Sequence, residues 1–269
     1  MRKVMMMLAV GALVAFAALP ASAEEGAQVS VIHGIPGLTV DVFVNGDLTL
    51  EGFEPGEVAG PLTLPAGNYE LAIAPMGAGI EGAVLTGTAS VTDGLNASIV
   101  AYLSEMGDPG IAIFVNDTSA IAAGESRLIV RHTAAAPTVD ILLADGTPLF
   151  QGVTNFANGA PYEGQLDVPA GMYDVRIAPA GAGVEAAVFS ADGVELPEGT
   201  ARIVYATGSL ADGSFGLVLQ DIAGLGETPT EVPTGDLSSS GLPLWMFIAG
   251  GFALLSLAGA PVLASRRSR

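Results

Sequence analysis

The sequence predicts an all-β protein that consists of two tandem antiparallel β-sandwich domains, with seven strands each, followed by one C-terminal transmembrane helix. Three observations lead to this prediction. Short β-prone runs of apolar residues recur between turn residues along most of the chain. A stretch of about 100 residues occurs twice. An uncharged apolar segment lies close to the C-terminus.

Each unit contains seven short runs that are typical of strands, bounded by Pro, Gly, Asn and Asp. In the first unit these runs read SVIH, TVDVFV, PLTL, YELAIA, AVLTGTASV, ASIVAYL and IAIFVN. Five dipeptides are typical of hairpin turns, namely Asn45-Gly46, Asp93-Gly94, Asp145-Gly146, Asp192-Gly193 and Asp212-Gly213. Seven short strands with frequent turns favour a sandwich of the Ig-like type.

The internal repeat is clearest between residues 64–84 and 168–188, where 13 of 21 positions are identical. Upstream segments match at an offset that is five residues smaller, so an insertion is expected in the loop around residues 146–159. Two copies indicate tandem domains rather than a solenoid. We place the first domain at residues 24–120 and the second at 121–223.

The two ends predict export and anchoring. Residues 1–23 combine a basic start, a short apolar core and an Ala-Ser-Ala site, which is typical of a signal peptide; an uncleaved anchor is the alternative. Residues 242–264 carry no charge and are long enough to span a bilayer as a helix. The basic tail, residues 265–269, is predicted to be cytoplasmic, so the preceding chain lies outside.

Residues 224–241, rich in Pro, Thr, Ser, Gly and acids, are predicted to be a flexible linker. Pro233-Thr234-Gly235 within it looks like a degenerate sortase sorting signal. That pattern needs Leu-Pro-any-Thr-Gly, and here Val232 stands in place of Leu and one residue is missing.

Charge and composition exclude several function classes. All 28 acidic residues but only four arginines lie between Glu24 and Ser240, which gives this exported stretch a net charge of −24. Nucleic acid is therefore excluded as a partner. The chain has no cysteine, which excludes disulfides, thiolate nucleophiles and Cys-ligated metals.

The motif His-x₇-Asp followed by Pro-Ala-Gly-x-Tyr occurs in both units. It resembles the bacterial domain-of-unknown-function 4397 family over residues 29–116 and 127–220. The resemblance implies secreted or surface-anchored β-sandwich domains, often in tandem, and implies no activity.

Two His–Asp pairs are the candidates for chemistry: His33 with Asp41, and His132 with Asp140. Adjacent strands could bring each pair together for nucleophile activation. A structural role is one alternative, with the imidazole holding the next loop and the carboxylate capping a turn. Contact with a ligand or a metal is the other. The presence of the pair in both units suits a requirement of the fold better than a single active site.

Two further motifs recur. Tyr69 and Tyr173 follow Pro-Ala-Gly, which predicts a type II-like turn and a corner tyrosine bonded to nearby backbone. A Gly-rich loop that contains Glu81 in one unit and Glu185 in the other is a candidate binding edge. No helix or Lys follows this loop, which excludes a P-loop.

We therefore expect a non-catalytic, cell-surface-anchored envelope protein with a structural, adhesive or ligand-presenting role. The alternative is an extracellular binding module for a small molecule, sugar or cation, and a hydrolase is third. No cofactor is expected, and although the acidic charge suits calcium, no calcium-loop motif occurs. The expected partners are the membrane, through the C-terminal helix, and cell-envelope proteins or a wall polymer.

Overall fold

Residues 26–227, the range that this computed structural model describes, contain sixteen strands and three single-turn 3₁₀ helices. The first repeat contains β1 (Ala27–His33), β2 (Val40–Val44), β3 (Asp47–Phe53), β4 (Val58–Leu64), β5 (Gly67–Pro75), β6 (Leu85–Val91), β7 (Asn96–Leu103) and β8 (Pro109–Val115). The second repeat contains β9 (Glu125–His132), β10 (Val139–Leu143), β11 (Pro148–Val153), β12 (Glu163–Pro169), β13 (Gly171–Pro179), β14 (Phe189–Leu196), β15 (Ala201–Thr207) and β16 (Gly216–Ile222). The 3₁₀ helices are Ile80–Gly82, Phe156–Asn158 and Val184–Ala186.

Each repeat folds into two four-stranded sheets, so the predicted all-β class is confirmed. The inner sheets have the strand orders β4-β1-β7-β8 and β12-β9-β15-β16, and the outer sheets have the orders β3-β2-β5-β6 and β11-β10-β13-β14. Neighbouring strands are antiparallel except β1–β7 and β9–β15, which are parallel. The prediction of wholly antiparallel sheets was wrong at these two pairs. The two strands of each pair are not joined by a hairpin, because the chain forms five other strands between them and passes between the inner and outer sheets.

The count of seven strands per domain was wrong, since β3 and β11 were not predicted. β3 lies at a sheet edge, where four of its seven residues are exposed and only Phe53 is buried, so it lacks the apolar alternation that marks a strand. Its Gly52 has φ of 65°, next to a shift in the β2–β3 register. A glycine bulge of this kind interrupts the strand pattern in the sequence.

Three of the five predicted turn dipeptides connect paired antiparallel strands. Asn45 and Gly46 both have positive φ, as a two-residue type I′ hairpin requires. Asp145-Gly146 and Asp212-Gly213 lie in longer hairpin loops. The other two predictions were wrong: Asp93-Gly94 links strands of different sheets, and Asp192-Gly193 forms a bulge within β14.

The apolar core has three layers because the inner sheets are buried on both faces. Each sandwich has its own core between its inner and outer sheets. A third cluster lies between the two inner sheets and joins residues of both repeats, among them Ile32, Val100, Phe114, Ile203 and Tyr205. The two repeats therefore belong to one compact unit.

The beginning of the predicted linker is structured. Ile121 is fully buried and forms a bridge with Gly226, and the amide of Glu227 donates to the Ile121 carbonyl. The rest of the linker, the signal peptide and the predicted helix at residues 242–264 lie outside the described residues. Within residues 26–227 no helix is long and apolar enough to cross a membrane.

The predicted corner tyrosines are confirmed. The hydroxyl of Tyr69 donates to the Pro65 carbonyl at 2.8 Å, and that of Tyr173 donates to the Pro169 carbonyl at 2.6 Å. The predicted type II-like turn is wrong, because Gly67 is not among the glycines with positive φ and already begins β5.

We predict that Tyr69→Phe and Tyr173→Phe each lower the free energy of unfolding by about 1 kcal/mol, since each loses one intramolecular hydrogen bond. Urea-induced unfolding measures this change. Tyr102→Phe is the matched control, because the Tyr102 hydroxyl makes no hydrogen bond within residues 26–227, and we expect it to be near neutral. Equal losses in all three variants would contradict a specific role for the corner bonds.

Candidate functional site

The two candidate histidines hold the loops that follow their own strands. His33 ends β1 and is 1% exposed; its Nε2 lies 2.7 Å from the Leu38 carbonyl oxygen, and its Nδ1 accepts from the Ile35 amide at 3.4 Å. His132 at the end of β9 repeats this arrangement with the Pro137 carbonyl at 2.9 Å and the Ala134 amide at 3.4 Å. Both bonding patterns correspond to a neutral ring protonated on Nε2. Burial lowers the pKa of each imidazole below its usual value.

The two aspartates serve different loops from the histidines. One oxygen of Asp41 accepts the amide of Gly52 at 2.9 Å, and the other accepts that of Gly77 at 2.8 Å. These bonds lower the pKa of Asp41. Asp140 makes the same bonds, to Gly152 at 2.7 Å and Gly181 at 2.8 Å.

All four glycines bonded by Asp41 and Asp140 have positive φ, between 65° and 77°. Each aspartate therefore joins the bulge in β3 or β11 to the Gly-rich loop, two backbone conformations that a side chain with Cβ rarely adopts. The structure shows no hydrogen bond between His33 and Asp41 or between His132 and Asp140. It brings neither pair together in the arrangement that nucleophile activation requires.

Glu81 and Glu185 lie in the 3₁₀ helices of the two Gly-rich loops, and both side chains are exposed. They are remote in the chain from the histidine loops, and each loop belongs to its own repeat. Their role in ligand binding stays a prediction. No group of three or more His, Asp or Glu residues within positions 26–227 could hold a metal ion.

A buried polar network between the two inner sheets was not predicted from the sequence motifs. Its centre is Arg131 on β9, which is 1% exposed. The Arg131 guanidinium donates to Glu163 on β12 at 2.5 Å, to the Asn116 side chain of the first repeat at 2.8 Å and to the Tyr205 hydroxyl at 3.0 Å. It also lies over the Phe114 ring, 4.4 Å from the centroid, which adds a cation–π contact across the interface.

The network continues through neutral groups. Ser98 of the first repeat donates to the Gln220 side-chain oxygen at 2.8 Å, and the Tyr205 hydroxyl donates to the same oxygen at 2.7 Å. Burial raises the pKa of Tyr205, so its hydroxyl remains a donor at physiological pH. No buried side-chain nitrogen or oxygen within residues 26–227 lacks a hydrogen-bond partner.

A second arginine fixes the segment that connects the repeats. Arg127 on β9 forms a two-pronged bond with Asp167 at 2.8 and 2.9 Å, and it also donates to the Ser119 carbonyl and hydroxyl. Asp117 lies 3.2 Å from the same guanidinium. Hydrogen bonds from Ser119 and Gln165, together with the Arg127 charge, lower the pKa of Asp117 to about 2. The connection is therefore held by charged groups rather than left as a free hinge.

The predicted insertion contributes to the same interface. The loop between β11 and β12 is five residues longer than the loop between β3 and β4, which confirms the expected insertion near its predicted place. In this loop, Asn155 donates to the Leu103 carbonyl of the first repeat at 2.9 Å. Phe156 packs edge-on against Tyr102 and Phe114, with ring centroids 5.3 and 5.2 Å apart.

The signal that could have revealed this interface is the difference between the repeats rather than their likeness. Arg131 occupies the position of Ile32, directly before the histidine in each repeat. Tyr205 is paired with Arg131 as Val100 is paired with Ile32. Sandwich-core positions are apolar in both repeats, whereas these outward-facing positions of the inner sheets are apolar in the first repeat and polar in the second.

One family model matches the first repeat. Residues 27–142 match the family model of the domain of unknown function DUF4397. This match supports the resemblance inferred from the motifs, and it covers the whole first repeat, β9 and all but the last residue of β10. No curated protein matches the sequence.

Two solved structures are weakly similar. One is a "putative cell adhesion protein" from Bacteroides ovatus, with 8% identity and a TM-score of 0.24 over 75% of this chain and 99% of that chain. The other is a "putative cell adhesion protein" from Bacteroides fragilis, with 12% identity and a TM-score of 0.20 over 67% of this chain and 70% of that chain.

The lowered pKa of the two histidines predicts a dependence of stability on pH. The unfolded imidazole titrates near pH 6.5, and the folded one titrates at lower pH. The contribution of the neutral rings is therefore complete above about pH 6.5 and is lost as the pH falls toward the folded pKa.

We expect the double variant His33→Gln, His132→Gln to be less stable at pH 7.5 and to lose less stability between pH 7 and 5 than the unchanged protein. Urea unfolding at stepped pH measures both effects. A slope between pH 7 and 5 that is the same in both proteins would contradict this assignment.

The buried position of Arg131 predicts a large cost of its removal. Arg131→Met leaves Asn116, Tyr205 and Glu163 without their shared donor, and we expect a loss of about 3 kcal/mol in the free energy of unfolding. Arg176→Met is the matched control, because Arg176 pairs with Asp192, whose side chain is 72% exposed. Exposed pairs contribute at most about 1 kcal/mol. Similar losses in the two variants would contradict the importance of the network.

Proposed function

We propose that this protein is a non-catalytic, cell-surface-anchored envelope protein whose two repeats form a rigid acidic body with a structural, adhesive or ligand-presenting role. The observation that carries the proposal is the buried Arg131 network, which joins the two inner sheets across both repeats. A buried charge that depends on partners from both repeats makes their separation costly. Such a body holds its outer loops at fixed spacing, which suits presentation and adhesion.

The arrangement of the candidate catalytic groups supports the non-catalytic part of the proposal. Each histidine already uses both ring nitrogens in bonds to its own loop. Each aspartate accepts two glycine amides. A group that acts as a general base needs a nitrogen or oxygen within reach of a substrate proton. These side chains instead have the same structural bonds in both repeats.

The proposal includes location and ancestry. We propose that residues 1–23 direct export, that residues 242–264 anchor the chain as a single membrane span, and that the C-terminal tail is cytoplasmic. The second repeat is proposed as a second copy of the family, supported by its identical strand order. The net charge of −24 on the exported stretch favours basic groups of cell-envelope proteins or wall polymers as partners.

We predict that cells lacking the gene lose surface attachment or envelope integrity, and that both the full chain and its His33→Gln, His132→Gln variant restore it in proportion to their surface amount. Digestion of intact and lysed cells with a glutamate-specific protease measures that amount. Reagents that react with lysine are unsuitable, because the only lysine is Lys3 in the predicted signal peptide.

A variant present at full surface amount that restores nothing would favour catalysis by these histidines. No effect of deleting the gene on attachment or integrity would contradict the proposed role. A chain that is protected from the protease in intact cells but digested in lysed cells would contradict the proposed surface location.

A further inference from the structure

The first sandwich encloses an apolar cavity of about 200 Å³ between its inner and outer sheets. The inner sheet contributes Val29, Val31 and Ile99, and the outer sheet contributes Val42, Leu71 and Ile73. The rim lies where the edge strands β3 and β4 part, and there Asp47 and Thr49 are exposed. The cavity is therefore an aliphatic space with a polar mouth at one edge of the sandwich.

The second sandwich encloses a cavity of about 220 Å³ at the corresponding place. The lining contains Leu128, Val130 and Val204 from the inner sheet and Ile141, Val175 and Ile177 from the outer sheet. Its open side lies between β14 and β16, where Val194 is half-buried and Leu219 is 46% exposed.

The two linings correspond by register. Val31 is paired with Ile99 in the first inner sheet, as Val130 is paired with Val204 in the second. The side chains differ in size at these positions, yet a space of similar volume remains in both repeats. A void costs stability because its lining loses contacts. Its presence in both sandwiches therefore indicates a feature of the architecture rather than one local packing defect.

The cavities open at opposite edges of their sandwiches. In each sandwich, a large side chain closes the edge that is open in the other sandwich. In the second repeat, the Phe150 ring on β11 packs directly on Gly164 of β12 and closes that edge. In the first repeat, Ile111 on β8 approaches Gly87 on β6 and closes the other. Each cavity thus has one closed edge and one open edge.

The chemistry of the linings defines the ligand. The second lining has no polar side chain except Tyr173, and the first adds only Asp47, Thr49 and Tyr69. Both tyrosine hydroxyls are already bonded to proline carbonyls. A cavity without polar partners does not hold ordered water, and an engineered apolar cavity of about 150 Å³ in another protein binds benzene.

We propose that each sandwich is a binding site for a small hydrocarbon ligand about the size of a benzene ring, which enters at the open edge between its two sheets. This proposal does not depend on the surface role, because the sites lie within the individual sandwiches. It places ligand binding at neither the histidine loops nor the Gly-rich loops.

Isoleucine methyl groups report on each site separately. Ile73, Ile99 and Ile111 line the first cavity, and Ile141 and Ile177 line the second. Ile32, Ile129 and Ile203 lie in the core between the inner sheets and serve as internal controls for folding. The full chain is labelled with ¹³C at its isoleucine methyl groups, held in lipid nanodiscs and titrated with benzene. The chemical shifts of the methyl groups are measured. We expect saturable shifts at the five lining residues and none at the three controls.

Two cavity-filling variants test the assignment. Ala89→Leu narrows the first cavity and Ala191→Leu narrows the second, since each alanine lines one of them. We expect each variant to weaken benzene binding at least tenfold in its own sandwich and to leave the other unchanged, so each is the control for the other. Lining shifts that are absent, that match those of the interface isoleucines, or that persist in the filled cavity would overturn the proposal.

Discussion

The bonds of the buried Arg131 guanidinium hold the two repeats together. One charged side chain from β9 bonds an acid of its own sheet, a tyrosine of the neighbouring strand and an asparagine of the first repeat. Burying an arginine is costly unless its donors are satisfied, and this requirement restricts the two inner sheets to one relative position. The apolar cluster around Ile32, Phe114 and Tyr205 packs at the same boundary, so the Arg131 bonds add directional contacts to an interface that also buries apolar surface.

Differences between the repeats build this interface. Where the first repeat has Ile32 and Val100, the second has Arg131 and Tyr205, and the longer loop of the second repeat supplies Asn155 and Phe156. A duplicated sandwich would present two equal inner faces. The polar side chains of the second face bond partners on the first, and its arginine stacks on an aromatic ring of the first, so the two faces are complementary. The common features of the repeats thus serve the sandwich, and their differences serve the union of the two.

The residues that first suggest catalysis are explained by backbone geometry. Asp41 and Asp140 stabilise glycines with positive φ, and His33 and His132 hold the loops after the first strand of each repeat. Groups that each repeat needs to form its outer sheet recur with the repeat. This leaves surface presentation, supported by rigidity and acidic charge, as the function that we propose.

The sequence by itself determined the all-β class, the duplication, the insertion within the second copy, the corner tyrosines and the type I′ turn at Asn45-Gly46. These features depend on local patterns of polarity, identity and turn chemistry, which can be read without knowing what packs against them. The candidate residues were also found, although their partners were not. Strand β3 was missed because an exposed edge strand with a glycine bulge lacks the alternation of a buried strand.

Tertiary structure alone decided three other features. The parallel pairing of β1 with β7 depends on how intervening strands cross between sheets, which no local pattern specifies. The burial of Arg131 depends on a surface of the other repeat far away in the chain. The cavities depend on the distance between two sheets, and the same aliphatic alternation would also accompany a fully packed core. In each case the deciding contact joins residues that are distant in sequence, and local polarity carries no record of such a contact.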